Sequence, residues 1–229
     1  MNQLVTTGII LARVDYGEAD RILTLLTPDH GKLRLLARGV RRVKSKLAGG
    51  IELFSVSHIT YIPGKQGGMG TLVSTRLSTH FAHIVEDIER TMLGYEIIKQ
   101  LNRQTEDEPE AAYFQLLQAS FEALNEREIP LSIIRLWFAA QLLRLHGHAP
   151  NLRTDDSGQP LDPAATFNFS FEHMAFAPAN GQGRFSAQHI KFLRLCFGDY
   201  SAMTLAHVAD GASLVAACAP LVQGLAAHV

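Results

Sequence analysis

Ten residues, ARGVRRVKSK from Ala37 to Lys46, carry five cations and no acid. Extended back to Lys32, the stretch holds Lys32, Arg34, Arg38, Arg41, Arg42, Lys44 and Lys46, still without a carboxylate. Like charges packed this closely repel one another, so an uncompensated cluster costs stability unless an anion sits on it. Nucleic-acid phosphates are the anions that suit Lys and Arg in such numbers. Five of them neutralised on a single strand would give a log–log salt slope of roughly −3.5. The plainer assignment is a solvated face that keeps the protein in solution, and the missing acids weigh against it. A third, from another class, is an interaction adaptor whose loop meets an acidic protein surface. The adaptor and the DNA-binding assignment differ in salt response and in dependence on DNA length.

Other chemistries are less well supplied. PGKQGGMG offers Gly64 and Lys65 to a phosphate, but Gln66 follows the lysine and no helix comes next, so it reads as a flexible hairpin connection. The carboxylates of EDIE (Glu86 to Glu89) and EDEPE (Glu106 to Glu110) would suit a metal-dependent nuclease. Both sit on helical stretches where acids serve as solvated face or as dipole partners. HGHAP, His173, His189 and His207 lack ligand spacing and cysteine company, so no metal site is expected. Neither a G-x-S-x-G nor a dinucleotide fingerprint occurs, and Trp137 in IIRLWFAAQLL belongs to a core. Catalytic residues and cofactors are therefore expected to be absent.

The elements that position the cations follow from composition and period. At 229 residues and 47% hydrophobic, the chain can bury one large core or two modest ones. Residues 1–80 carry eleven Lys/Arg against five Asp/Glu, a net of +6; residues 81–229 carry ten against seventeen, a net of −7. Such asymmetry marks a basic half suited to nucleic acid and places a domain boundary near residue 80. Cys196 and Cys218 cannot form a disulfide framework, and the N-terminus lacks a signal-peptide pattern. The apolar tail is interrupted by Pro220, Gln223 and Gly224 and is no clean membrane span. The expectation is a cytoplasmic, nucleoid-associated protein.

In residues 1–80, TTGIILARV, RILTLLT, KLRLLARGV, FSVSHITYI and TLVSTRLST read as five strands, with turns at YGEAD, PDHG and PGKQGGMG. SKLAGGIEL can hold a short helix between the third and fourth. In the third strand, Lys32, Arg34 and Ala37 are set against Leu33, Leu35 and Leu36. This order is that of an OB-fold barrel, giving an α+β chain with a mainly α-helical domain at 81–229. The helical part places Phe81, Ile84, Val85, Ile88, Met92, Tyr95 and Ile98 on one apolar face. A second helix starts with acids. Pro130 opens a third that Gly147 ends, and a Ser-capped helix and a tail helix follow. Residues 149–185 form a loop-rich insert with a hairpin at FNFSFEHMAFA. Of the aromatics in the basic half, only Tyr16, Phe54 and Tyr61 are candidates for base stacking, and Phe54 suits the core. The expected grip is therefore electrostatic, with base edges left open.

The stretch Gly8 to Phe54, GIILARVDYGEADRILTLLTPDHGKLRLLARGVRRVKSKLAGGIELF, resembles the opening of the bacterial RecO family of DNA repair proteins nearly throughout. It shares the DYGEAD turn, the T..HGK hairpin, the A.G.RR.KS loop and the following ELF. RLWFAAQLLRLHGHAP, Arg135 to Pro150, is similar to that family's internal helix and its Gly-Tyr-x-Pro-like step, with His148 in the tyrosine position. The resemblance implies an OB-fold and a helical domain that act in recombinational repair. It implies binding of single- and double-stranded DNA and annealing of strands coated by single-stranded DNA-binding protein (SSB). It also implies work with RecR, and indirectly RecF, in RecA loading. An SSB C-terminal tail, acidic and apolar, would need a cation beside an apolar pocket, for which Arg135 and, near it, Arg144 are the candidates. Two departures stand out. Many relatives carry a four-cysteine zinc site after the Gly-x-x-Pro step, and NLRTDDSGQPLDPAATFNFSFEHMAFA has no cysteine, so packing alone must hold it. Val43 stands where a proline is common.

Overall fold

The computed structural model describes residues 2–105, 110–179 and 181–228. Five strands come first: β1 (Leu4–Tyr16), β2 (Asp20–Thr27), β3 (Gly31–Ala37), β4 (Ser55–Ile62) and β5 (Gly70–His80). They close into a barrel in the order β1-β2-β3-β5-β4, with β4 antiparallel to β1 and only β3–β5 parallel. That is the OB-fold arrangement, an N-terminal barrel followed by helices. The insert between β3 and β4 is reduced to a single 3-10 turn at Ala48–Gly50.

Alternation places Ile10, Leu23, Leu25, Leu35, Ile59 and Leu72 inside the barrel. In β3 the inward set is Leu33, Leu35 and Ala37, so Lys32, Arg34 and Leu36 face outward. The sequence expectation had Ala37 and Leu36 exchanged. Strict two-residue alternation and the 0% exposure of Ala37 decide between them.

The chain divides into two compact units, Met1–Glu126 and Arg127–Val229. The strands end at His80, but the first unit continues through α1 (Ala82–Glu86), α2 (Ile88–Gln104) and α3 (Ala111–Asn125). Phe54 ties these helices to the barrel. Its ring is 1% exposed and stands edge-on to Tyr95 and Phe121 at 5.3 and 5.4 Å. Its φ of 55° is left-handed, which costs roughly 1–2 kcal/mol for a non-glycine residue. Burying the ring returns about 1.5–3 kcal/mol. Gly94 makes the fit possible, since a Cβ there would lie 2.5 Å from Phe54 Cε1.

The single apolar face expected from Phe81 to Ile98 does not form. Phe81, Ile84 and Ile98 are buried, whereas Val85, Ile88, Met92 and Tyr95 are exposed, Ile88 by 74%. Asp87 breaks the run in extended conformation and caps α2, accepting from the amides of Glu89 and Arg90 at 2.8 and 3.1 Å. The break resets the helical phase, and α2 buries Arg90, Leu93, Ile97 and Leu101 instead. Arg90 donates from its guanidinium to the carbonyls of Leu124 and Glu126, satisfying the end of α3.

The second unit is built on α4 (Leu131–Leu145), with Pro130 before it and Gly147 at φ 78° beyond it. Trp137 is core, its indole donating to the Tyr200 carbonyl at 2.8 Å. Gln141, also buried, donates to the carbonyls of Cys196 and Gly198. The insert is more ordered than the sequence suggested. Strands β6 (Asn151–Asp155), β7 (Thr166–Ser170), β8 (Ala175–Pro178) and β9 (Phe185–Ser186) form a sheet ordered β6-β8-β7-β9, and β7–β8 is the expected hairpin. The rings of Phe167, Phe169 and Phe185 stand edge-on to Phe176 and supply its core. Helices α5 (Ala187–Phe197), α6 (Ala202–Ala206) and α7 (Gly211–Ala227) follow. Ser186 caps α5, and its amide donates to His189 Nδ1 at 3.0 Å. No helix among the described residues is long and apolar enough to cross a membrane.

Candidate nucleic-acid interface

The basic run leaves β3 as a series of tight turns and is anchored at several points. Gly39, at φ 63°, donates its amide to Asp20 Oδ1 at 2.7 Å, and the Arg41 amide donates to the Ala19 carbonyl at 2.9 Å. A Cβ at that φ would be strained, so glycine belongs there. Val40 is buried in the barrel core, fixing the loop's base. Around it, Arg38, Arg41, Arg42, Lys44 and Lys46 are all exposed, as is Arg34 on β3. Val43 is 104% exposed among them, so the side chain standing in the proline position packs on nothing.

Two of the seven cations are less free than the sequence indicated. Lys32 is half-buried, and its Nζ donates to the Asn102 carbonyl at the end of α2, 2.8 Å away. Arg41 has a partial counter-charge in Asp15, with Nε 3.5 Å from Oδ2. Asp15 also accepts from Arg21 Nε at 2.8 Å. That hydrogen bond, opposed by desolvation and aided by the charges of Arg41 and Arg13, holds the Asp15 carboxyl below its ordinary value. Arg13 in turn pairs with Glu52 at 2.8 Å. These barrel-end partners lie outside the run of cations in the sequence, although DYGEAD holds both Asp15 and Asp20. The fold brings the DYGEAD turn under the loop.

Of the three possible stacking residues, Phe54 and Tyr61 are buried and Tyr16 is 54% exposed. Arg135 and Arg144 both lie on α4 but nine residues apart. At 100° per residue they point to opposite sides of the helix, so they do not share a pocket. Arg144 donates to Asp199 at 2.5 Å and to Gln141 at 2.8 Å, an internal ion pair. Arg135 is exposed. Glu86, Asp87 and Glu89 lie exposed around the start of α2. Glu106, Asp107 and Glu108 fall outside the described residues. No group of three His, Cys, Asp or Glu side chains that could hold a metal occurs among the described residues. Cys196 and Cys218 are free and buried.

Two family models match the chain, Recombination protein O N terminal over residues 1–81 and Recombination protein O C terminal over residues 85–208. The DNA repair protein RecO of Desulfatibacillum aliphaticivorans is 32% identical over 66% of this chain and 60% of its own length. That of Acetivibrio thermocellus is 36% identical over 66% of this chain and 59% of its own. The one from Streptomyces griseus is 32% identical over 92% of this chain and 90% of its own. The first relatives are thus matched over about three fifths of their length, the Streptomyces protein over nearly all. With an OB-type barrel carrying the basic loop and both terminal models matched in order, the chain belongs to the RecO family of DNA repair proteins.

Proposed function

We propose that this protein is a non-enzymatic recombination mediator that binds single- and double-stranded DNA and anneals complementary strands coated by SSB. In this proposal it also assists RecR in loading RecA. The observation that carries it is the anchored loop of exposed cations, Arg38, Arg41, Arg42, Lys44 and Lys46, continued by Arg34 on β3. A fixed backbone holds these charges at separations set by the fold, so phosphates meet a preformed surface and less conformational freedom is lost on binding. Lys32 helps to hold the surface, its ammonium spent on Asn102. Arg135 is the candidate cation for the SSB tail, and Arg144 is left to its pair with Asp199.

The test is strand annealing, with and without SSB, at two salt concentrations. Wild type is compared with Arg38, Arg41, Arg42, Lys44 and Lys46 all changed to Ala. The variant is expected to stay folded, to lose annealing and to lose most of a slope near −3.5 on single strands. A folded variant that binds and anneals like wild type would transfer the loop to an acidic protein partner.

A further inference from the structure

The outward face of β1–β2–β3 carries more than charge. Cross-strand register places Val14 opposite Ile22 and Ile22 opposite Leu36, so the three form one row across the barrel. Tyr16 follows Val14 on the same side of β1, two residues on. Val14 is 59% exposed and Tyr16 54%, while Ile22 and Leu36 are half-buried. On one side the neighbouring row is Ala12, Thr24 and Arg34. On the other, β3 runs from Leu36 into exposed Arg38 and the basic loop. Among the described residues the Tyr16 ring stacks on no other aromatic ring.

We infer that Tyr16, on the apolar floor of Val14, Ile22 and Leu36, is a platform on which a base of single-stranded DNA stacks while Arg34 and Arg38 hold the phosphates beside it. This rests on the DNA-binding proposal above and adds to it a contact made by the base. Charge placement selects the occupant. Arg34 lies on one side of the apolar row and Arg38 on the other, while Asp20, opposite Tyr16, is engaged by the Gly39 amide at 2.7 Å. Such a surface suits a ligand with flat apolar faces and an anionic edge, and an unpaired strand has both. Stacking engages the face of the base and leaves its pairing edge free. One platform can therefore tighten the grip without blocking annealing. A duplex keeps its bases stacked on each other, so the platform discriminates single from double strands.

The experiment measures binding of the full chain to two labelled oligomers of equal length, oligo-dT and the same phosphodiester backbone made abasic. Wild type, Tyr16→Ala and Tyr16→Phe are compared by fluorescence polarisation. Wild type is expected to bind oligo-dT roughly tenfold tighter than the abasic strand. Tyr16→Ala should lose that preference and keep its affinity for the abasic strand, and Tyr16→Phe should retain both. Equal binding of the two strands by wild type, or a preference that survives Tyr16→Ala, overturns the platform and leaves the phosphate grip standing. If wild type binds neither strand, the grip itself fails, and the platform with it.

Discussion

Asp15 restrains the basic surface. It holds Arg21 by a hydrogen bond and faces Arg41, so part of the loop's charge is already answered within the protein. Asp15→Asn should free Arg41 for a phosphate, raising single-strand affinity severalfold at low salt and steepening the salt slope by up to about 0.7. The same substitution has a signature in stability. Because the folded carboxyl is held low, its contribution is fully present above the unfolded value of about 3.9 and is lost as pH falls through the folded one. Melting temperatures of wild type and Asp15→Asn should therefore differ by a constant amount above about pH 5 and converge in acid. The cysteines behave oppositely to reactive thiols. Burial pushes the Cys218 thiol up to about 12 and raises Cys196 as well, with its neighbour Cys218 adding to the rise. Neither should react with a thiol reagent at pH 8 in the native protein, and both should react once it is unfolded.

Among the elements, the joint between barrel and helices depends on one close approach. Gly94→Ala sets a methyl group against the Phe54 ring, which is also fixed by its left-handed backbone and by the Phe81 amide donating to its carbonyl at 3.0 Å. Neither side can yield freely, so the substitution should lower unfolding free energy by about 1–3 kcal/mol, read from denaturant midpoints. The strands were legible because alternation and turn residues act locally: PDHG and the Gly-rich connection fall where β2–β3 and β4–β5 turn. The phase of the first helices was not. Continuous 3.6-residue periodicity runs through Asp87 in the sequence, and only the capping geometry at that aspartate shows that the helix restarts there. In the insert, a compositionally loop-like stretch becomes a sheet because its phenylalanines find one another across β7, β8 and β9.

At the scale of the molecule, the charge split takes a different meaning. Residues 1–80 sum to +6, but the compact unit Met1–Glu126 also includes 81–126, with three Lys/Arg against ten Asp/Glu. That unit totals −1, and Arg127–Val229, with seven of each sign, totals zero. The asymmetry is a polarity within the first unit, between barrel and helices, and is not a contrast between two bodies. The barrel, the cationic run, the lack of a cysteine cluster in the insert and membership of the family could be read from residue order, because each depends on residue type, short-range order or alternation. Which cations are already engaged was set by the folded chain. Lys32, Arg41 and Arg144 find their partners at Asn102, Asp15 and Asp199, far along the chain, and such pairings exist only once the chain has folded back on itself.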